Sequence, residues 1–186
     1  MSDNGITVLA SHQTRHHNRY KPSRRSTLSF NITAHTMHDQ HGQRINFKQF
    51  ENQAILLINT ASLCGFRYQV AQLTQLSQDF SHKPFHIILV PSNDFGQEKS
   101  DPSQNICYQL HSPRIHVMAQ TSIIGPHAHP LFQQLQSEVS WLARTRWNFY
   151  KYLFDTNGQL HSWFSPLTPP AHKKVLKNID SAILTT

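Results

Sequence analysis

The chain has 186 residues, with 17 Lys plus Arg, 10 Asp plus Glu and 14 His, for a formal charge of +7. This length holds one domain with its own hydrophobic core, and no run of about 18 apolar residues offers a membrane-spanning helix. Two cysteines exclude a disulfide-dense scaffold and a four-cysteine zinc site.

Residues 1–28 carry Arg15, Arg19, Lys21, Arg24 and Arg25 against Asp3 alone, which is +4 of the total. With little apolar content beyond residues 6–10, this stretch reads as a basic, disordered arm. It lacks the apolar core of a secretory signal; a targeting segment and a nucleic-acid-binding arm are the other readings of it. The folded body is expected over residues 29–186. Two widely spaced cysteines and no export signal point to the reducing cytoplasm.

Leu28-Ser29-Phe30-Asn31-Ile32 and Ile45-Asn46-Phe47 alternate apolar and polar around the turn cluster Asp39-Gln40-His41-Gly42, which predicts an opening hairpin. Ala54-Ile55-Leu56-Leu57-Ile58 is a continuous apolar run, as in a strand buried on both faces. Val70, Leu73, Leu76 and Phe80 recur at helical spacing over 69–80, and a second apolar run over 85–90 ends at Pro91. Together these form a right-handed βαβ unit. Residues 92–105 read as a loop and 103–110 as a short helix. Ile123-Ile124-Gly125-Pro126 closes a further element, and 130–139 reads as a helix with Leu131, Leu135 and Val139 on one face. Asp155-Thr156-Asn157-Gly158, between runs 149–154 and 159–164, is a strong hairpin signal. Thr168 before Pro169-Pro170 predicts a helix start, with Val175, Leu176, Ile179 and Ile183 facing the core. A parallel βαβ half followed by an antiparallel ββα half predicts an α/β fold. Its mixed central sheet is flanked by helices and preceded by the hairpin, which is the thioredoxin-like arrangement.

Cys64, in Ala61-Ser62-Leu63-Cys64-Gly65-Phe66, follows the first buried strand and precedes the 69–80 helix. Ligands bind beyond the C-terminal strand ends of open α/β sheets, and a helix N-terminus favours thiolate over thiol. Position alone leaves two readings, a nucleophile or a small core residue. Cys107 lies in a polar stretch, Asn105-Ile106-Cys107-Tyr108, as an idle thiol or as a partner that closes a disulfide with Cys64. The His residues, including His127 and His129, show no third ligand at metal spacing. Trp147 and Asn148 precede a hairpin strand, and Gln97 sits on the long loop. All three offer donors that could hold a thiolate or a developing oxyanion without titrating.

Three segments occur in order at near-family spacing: Asn59-Thr60-Ala61-Ser62-Leu63-Cys64-Gly65-Phe66, Val90-Pro91-Ser92-Asn93-Asp94-Phe95-Gly96-Gln97-Glu98, and Trp147-Asn148-Phe149-Tyr150-Lys151-Tyr152-Leu153. A fourth, Ala128-His129-Pro130-Leu131-Phe132, is weaker. With them the chain resembles the glutathione peroxidase family over residues 28–184, in its cysteine rather than selenocysteine form. The resemblance implies a thiol peroxidase acting on hydrogen peroxide or on organic and lipid hydroperoxides. Cys64 would be the peroxidatic thiolate, with Gln97, Trp147 and Asn148 completing a tetrad around it. Cys107 would be the resolving cysteine, and thioredoxin, or else glutathione, the reductant. No selenium, metal or haem cofactor is implied, nor a membrane or nucleic-acid partner.

Two departures shape these expectations. Gln97 follows Gly96 directly, one residue short of the family spacing, which motivates an alternative: a degenerate member acting as a peroxide sensor or redox relay through Cys64. The segment between Pro130 and Trp147 lacks the insert through which some members assemble and bind glutathione, which suggests a monomer served by thioredoxin. A third alternative is a nucleic-acid-binding protein using the basic arm, whose phosphate-driven binding would fall steeply with salt.

Overall fold

The computed structural model describes residues 30–99 and 101–185. The basic arm and the domain boundary expected near residue 28 lie outside the described residues.

The opening hairpin is present, but its first strand is not the predicted one. β1 (Thr36–His38) pairs antiparallel with β2 (Arg44–Asn46). Leu28 and Ser29 are outside the described residues, and Ile32 lies in a 3-10 turn, Ile32–Ala34. The cause is Asn31, whose Oδ1 accepts from Thr33 N at 2.9 Å and bends the chain before a strand can form. The predicted 39–42 turn holds, with Asp39 Oδ1 accepting from His41 N and Gln43 N.

Five strands form the main sheet in the order β5-β4-β3-β6-β7. β3 (Ala54–Thr60) and β4 (Phe85–Pro91) are the two apolar runs, pair in parallel, and are buried at every position. α1 (Gln69–Asp79) crosses between them as predicted. β5 (Ile115–Val117) adds a parallel edge to β4, a strand that the sequence pattern did not show. The Ile123-Ile124-Gly125-Pro126 segment is not a strand. Its backbone donors at Ile123 and Ile124 go to the Asp94 carboxylate, at 2.6 and 3.0 Å, instead of to a ladder. The short helix expected over 103–110 is two 3-10 turns, Pro102–Gln104 and Ile106–Gln109, divided by Asn105.

α2 (Pro130–Glu138) matches its prediction. His129 is its cap, Nδ1 accepting from Leu131 N at 3.2 Å, so this member of the His-x-His pair has a structural task. β6 (Lys151–Phe154) and β7 (Leu160–Phe164) complete the sheet antiparallel, joined at Asn157-Gly158. Gly158 has φ +74, and a Cβ there would fall 2.2 Å from Asn31 Oδ1, so both conformation and space require glycine. α3 (Lys173–Ile183) starts later than predicted. Thr168 and the two prolines lie in a preceding turn, and His172 Nδ1 caps the helix through Lys174 N at 3.1 Å.

Residues of β3 and β4 alternate between two cores, as the period of two in a strand requires. Leu56, Ile58, Ile87 and Leu89 pack with α1 and α3. Ile55, Leu57, Ile88 and Val90 pack with α2 and the N-terminal turns. Both cysteines belong to the α1/α3 side.

Candidate active site

Three chain segments meet beyond the C-terminal ends of β3 and β4, where β6 begins. The first carries Cys64. Leaving β3, the chain passes Ala61 and enters a 3-10 turn, Gly65–Tyr68, before α1. The thiol therefore stands before the helix, as the sequence suggested, with one short 3-10 turn between them. Cys64 is only 1% exposed, while its neighbours Leu63 and Tyr68 are 54% and 53% exposed. Among the described residues no hydrogen bond reaches its Sγ, and both cysteines are free thiols.

The second segment is the loop after β4. Gln97 O accepts from Leu63 N at 2.8 Å, so the Gln97 main chain grips the residue before Cys64. The third segment is the corner before β6. There Asn148 is fully buried and its Nδ2 donates to Gln97 Oε1 at 3.1 Å. Despite the shortened loop, Gln97 and Asn148 are brought together, as a bonded amide pair beside the Cys64 loop. Asn148 Oδ1 is buried with no partner. Trp147 is 40% exposed and packs its ring on Phe95, centroids 5.6 Å apart.

Two residues that sequence reasoning did not single out build this corner. Asn59, buried in β3, donates from Nδ2 to Trp147 O and accepts at Oδ1 from Tyr150 N, both at 3.0 Å. Its main-chain O accepts from Phe149 N at 2.7 Å. Phe149 itself has φ +66, a left-handed conformation that is costly for a bulky side chain. Its carbonyl accepts from Lys151 Nζ at 2.8 Å. Lys151 is fully buried in the sheet, and burial pushes its ammonium down to about 7. Asn59 and Lys151 lie inside the matched segments, which was the signal available for them.

Cys107 lies on the 3-10 turn Ile106–Gln109, fully buried. Its Sγ donates to Thr60 Oγ1 at 3.4 Å, at the end of β3. Burial pushes the thiol up to about 12, a shift opposed by the Thr60 hydrogen bond and increased by the Glu98 carboxylate. The cysteine with the expected resolving role is thus held as a thiol. A cavity of about 550 Å³ lined by Gly65, Arg67, Tyr68, Ile106 and Leu110 opens beside the Cys64 turn. A second, of about 420 Å³, lies against Ser62, Leu63 and Lys99 and shares Arg67 and Ile106 with the first. Among the described residues no group of three or more His, Cys, Asp or Glu is placed to hold a metal ion.

The glutathione peroxidase family model matches residues 32–136, more than half of the chain. The chain belongs to the glutathione peroxidase family. It is 34% identical over 135 residues to the glutathione peroxidase-like peroxiredoxin GPX5 of Chlamydomonas reinhardtii, covering 70% of this chain and 83% of that one. It is 30% identical over 139 residues to glutathione peroxidase-like peroxiredoxin 2 of Saccharomyces cerevisiae, covering 72% and 86%. The crystal structure of Trgpx in its apo form superposes with a TM-score of 0.68 at 26% identity, over 84% of this chain and 97% of that one. The chain is a glutathione peroxidase-family enzyme, a thiol peroxidase on a thioredoxin-like fold.

Proposed function

We propose that Cys64 is the peroxidatic residue and that Gln97, Asn148 and Trp147 are its partners. The observation that carries this reading is the bonded Gln97–Asn148 pair, locked beside the Cys64 loop through the Gln97 main chain. The Cys64 thiolate attacks the terminal oxygen of the hydroperoxide. The O–O bond breaks, an S–O bond forms, and the leaving oxygen takes a proton to depart as water or an alcohol. The product is a sulfenic acid. Indole N–H and amide N–H groups can steady charge on sulfur and on the leaving oxygen without titrating. The unpartnered Asn148 Oδ1 is an acceptor for the hydroxyl of an arriving peroxide.

Cys107 then condenses with the sulfenic acid, and the disulfide is reduced by thioredoxin. The substrates are hydrogen peroxide and organic or lipid hydroperoxides; the apolar rim of Leu63, Tyr68 and Trp147 suits the latter. A relative in Synechocystis, 29% identical over 140 residues, is named a hydroperoxy fatty acid reductase. The enzyme works as a monomer in the cytoplasm without a cofactor. One observation favours a second reading: a Cys64 that is 1% exposed suits a slow relay, which oxidises and hands the oxidation to a partner protein.

The experiment is the intact mass of the reduced protein after one equivalent of hydrogen peroxide. A loss of about two mass units, with Cys64 and Cys107 joined in the peptide map, is expected. A stable gain of about sixteen units at Cys64 removes Cys107 from the cycle. No change within minutes refutes the assignment of Cys64.

A further inference from the structure

Glu98 is buried, and among the described residues no ion pair reaches it. Its carboxylate is instead surrounded by neutral donors from three segments. Oε1 accepts from Ser62 N at 3.3 Å and from Lys99 N at 2.9 Å. Oε2 accepts from Ser62 N at 3.2 Å and from Asn105 Nδ2 at 2.8 Å. Ser62 is two residues before Cys64 and Asn105 two residues before Cys107. The same two residues make the neighbouring bonds: Asn105 Oδ1 accepts from Cys107 N at 2.8 Å, and Ser62 Oγ accepts from Ile106 N at 3.1 Å. One acid therefore pins the turn carrying one sulfur to the loop carrying the other, while Cys107 Sγ is bonded to Thr60.

We propose that Glu98 is a positioning residue that times the resolving step: its carboxylate latches the Cys107 turn to the peroxidatic loop, and the turn must release Glu98 before the two sulfurs can join. The inference rests on the two-cysteine reading above. In the step itself the Cys107 sulfur attacks the Cys64 sulfenic sulfur, an S–S bond forms and the S–O bond breaks. The oxygen leaves as water with the Cys107 proton, Cys107 is oxidised and the Cys64 sulfur is reduced by the same count. A disulfide sets its two sulfurs about 2 Å apart, whereas here both cysteines are free thiols and Cys107 Sγ is held on Thr60 within the latched turn. The latch keeps the resolving thiol folded away while it is closed, and the opening equilibrium limits how fast the disulfide appears.

The test uses the full chain and two variants. Glu98→Gln places an amide N–H₂ among three donors and breaks the latch at its centre. Asn105→Asp keeps the acceptor for Cys107 N but sets a second carboxylate against Glu98. After one equivalent of hydrogen peroxide, quenched samples are read by intact mass. Conversion of the sulfenic species to the disulfide species is expected to accelerate about tenfold in both variants, the worth of one charge-assisted hydrogen bond. Appearance of the sulfenic species in Asn105→Asp should stay within about twofold of the unmodified protein, a split that general loosening of the fold would not produce. A disulfide rate unchanged or slowed in either variant overturns the latch. If Glu98→Gln does not fold, Asn105→Asp decides alone. If the unmodified protein stops at the sulfenic acid, the two-cysteine reading falls and the latch with it.

Discussion

Replacing Lys151 by Met should stabilise the protein at neutral pH and destabilise it at alkaline pH. Lys151 is fully buried in β6, and its ammonium is pushed from 10.5 down to about 7 by burial. Between these values the unfolded chain holds a proton that the folded chain gives up, so stability rises with pH across the window and is lost as pH falls towards 7. At about 1.4 kcal/mol per pH unit, burying this amine costs about 4 kcal/mol at pH 7 and about 1 kcal/mol at pH 10. Against this stands its bond to Phe149 O at 2.8 Å, worth about 2 kcal/mol once the stranded carbonyl is included. Met of similar length removes both. The Lys151→Met protein should therefore be about 2 kcal/mol more stable at pH 7 and about 1 kcal/mol less stable at pH 10. Urea denaturation of both proteins at half-unit pH intervals gives the difference directly. Groups common to both cancel, including Cys107 and Tyr152, whose raised values act in the opposite direction above pH 9. A difference that is flat between pH 7 and pH 10 refutes the reasoning. Peroxide turnover should fall about tenfold in the same variant, because the left-handed Phe149 next to Asn148 loses its anchor. Such a gain in stability with a loss of function is the signature of a residue retained for the site.

Cys64→Ser should abolish peroxide reduction, and activity within about tenfold of the unmodified protein would remove Cys64 from the nucleophile's role. Cys107→Ser should let Cys64 react once and then block thioredoxin-driven turnover; undiminished turnover in a coupled assay would exclude Cys107. Asn59→Ala strands Trp147 O and Tyr150 N in a buried corner, so a loss of about 3 kcal/mol in urea unfolding is expected; a loss below about 1 kcal/mol counts against the clamp. His86 is lowered to about 4 by burial, then by His116 and by Arg114, and its Nδ1 lies 2.9 Å from His116 Nε2. Its depressed value means that stability is full above pH 6.5 and falls, by about 1–2 kcal/mol once solvent screening of this half-buried cluster is allowed for, as pH drops to 4. His86→Leu should flatten that part of the curve, and an unchanged pH profile would show that the pair carries no such linkage.

Much of the scaffold was legible because its signals are local. The apolar runs over 54–58 and 85–90, the apolar stripe of α1 and the Asn157-Gly158 turn each announce themselves within a few residues. Elements decided by a single side chain were misread. Asn31 bends the chain where alternation suggested a strand, and Asp94 takes the backbone donors of Ile123 and Ile124 across 29 and 30 positions. β5 has only three residues, too few for a period to show, and exists because the exposed edge of β4 offers it partners.

The sequence by itself determined the βαβ unit, the C-terminal hairpin and last helix, the family and the place of Cys64 between β3 and α1, because burial and motif spacing are written along the chain. Only the tertiary structure decided how the site is held. The bonds that do so span 36 positions from Ser62 to Glu98, 51 from Gln97 to Asn148 and 91 from Asn59 to Tyr150. A lysine or a glutamate reads as a surface residue in isolation. That Lys151 and Glu98 are interior, one bonded to a strained carbonyl and the other to two loops, follows from strands meeting that no local pattern brings together.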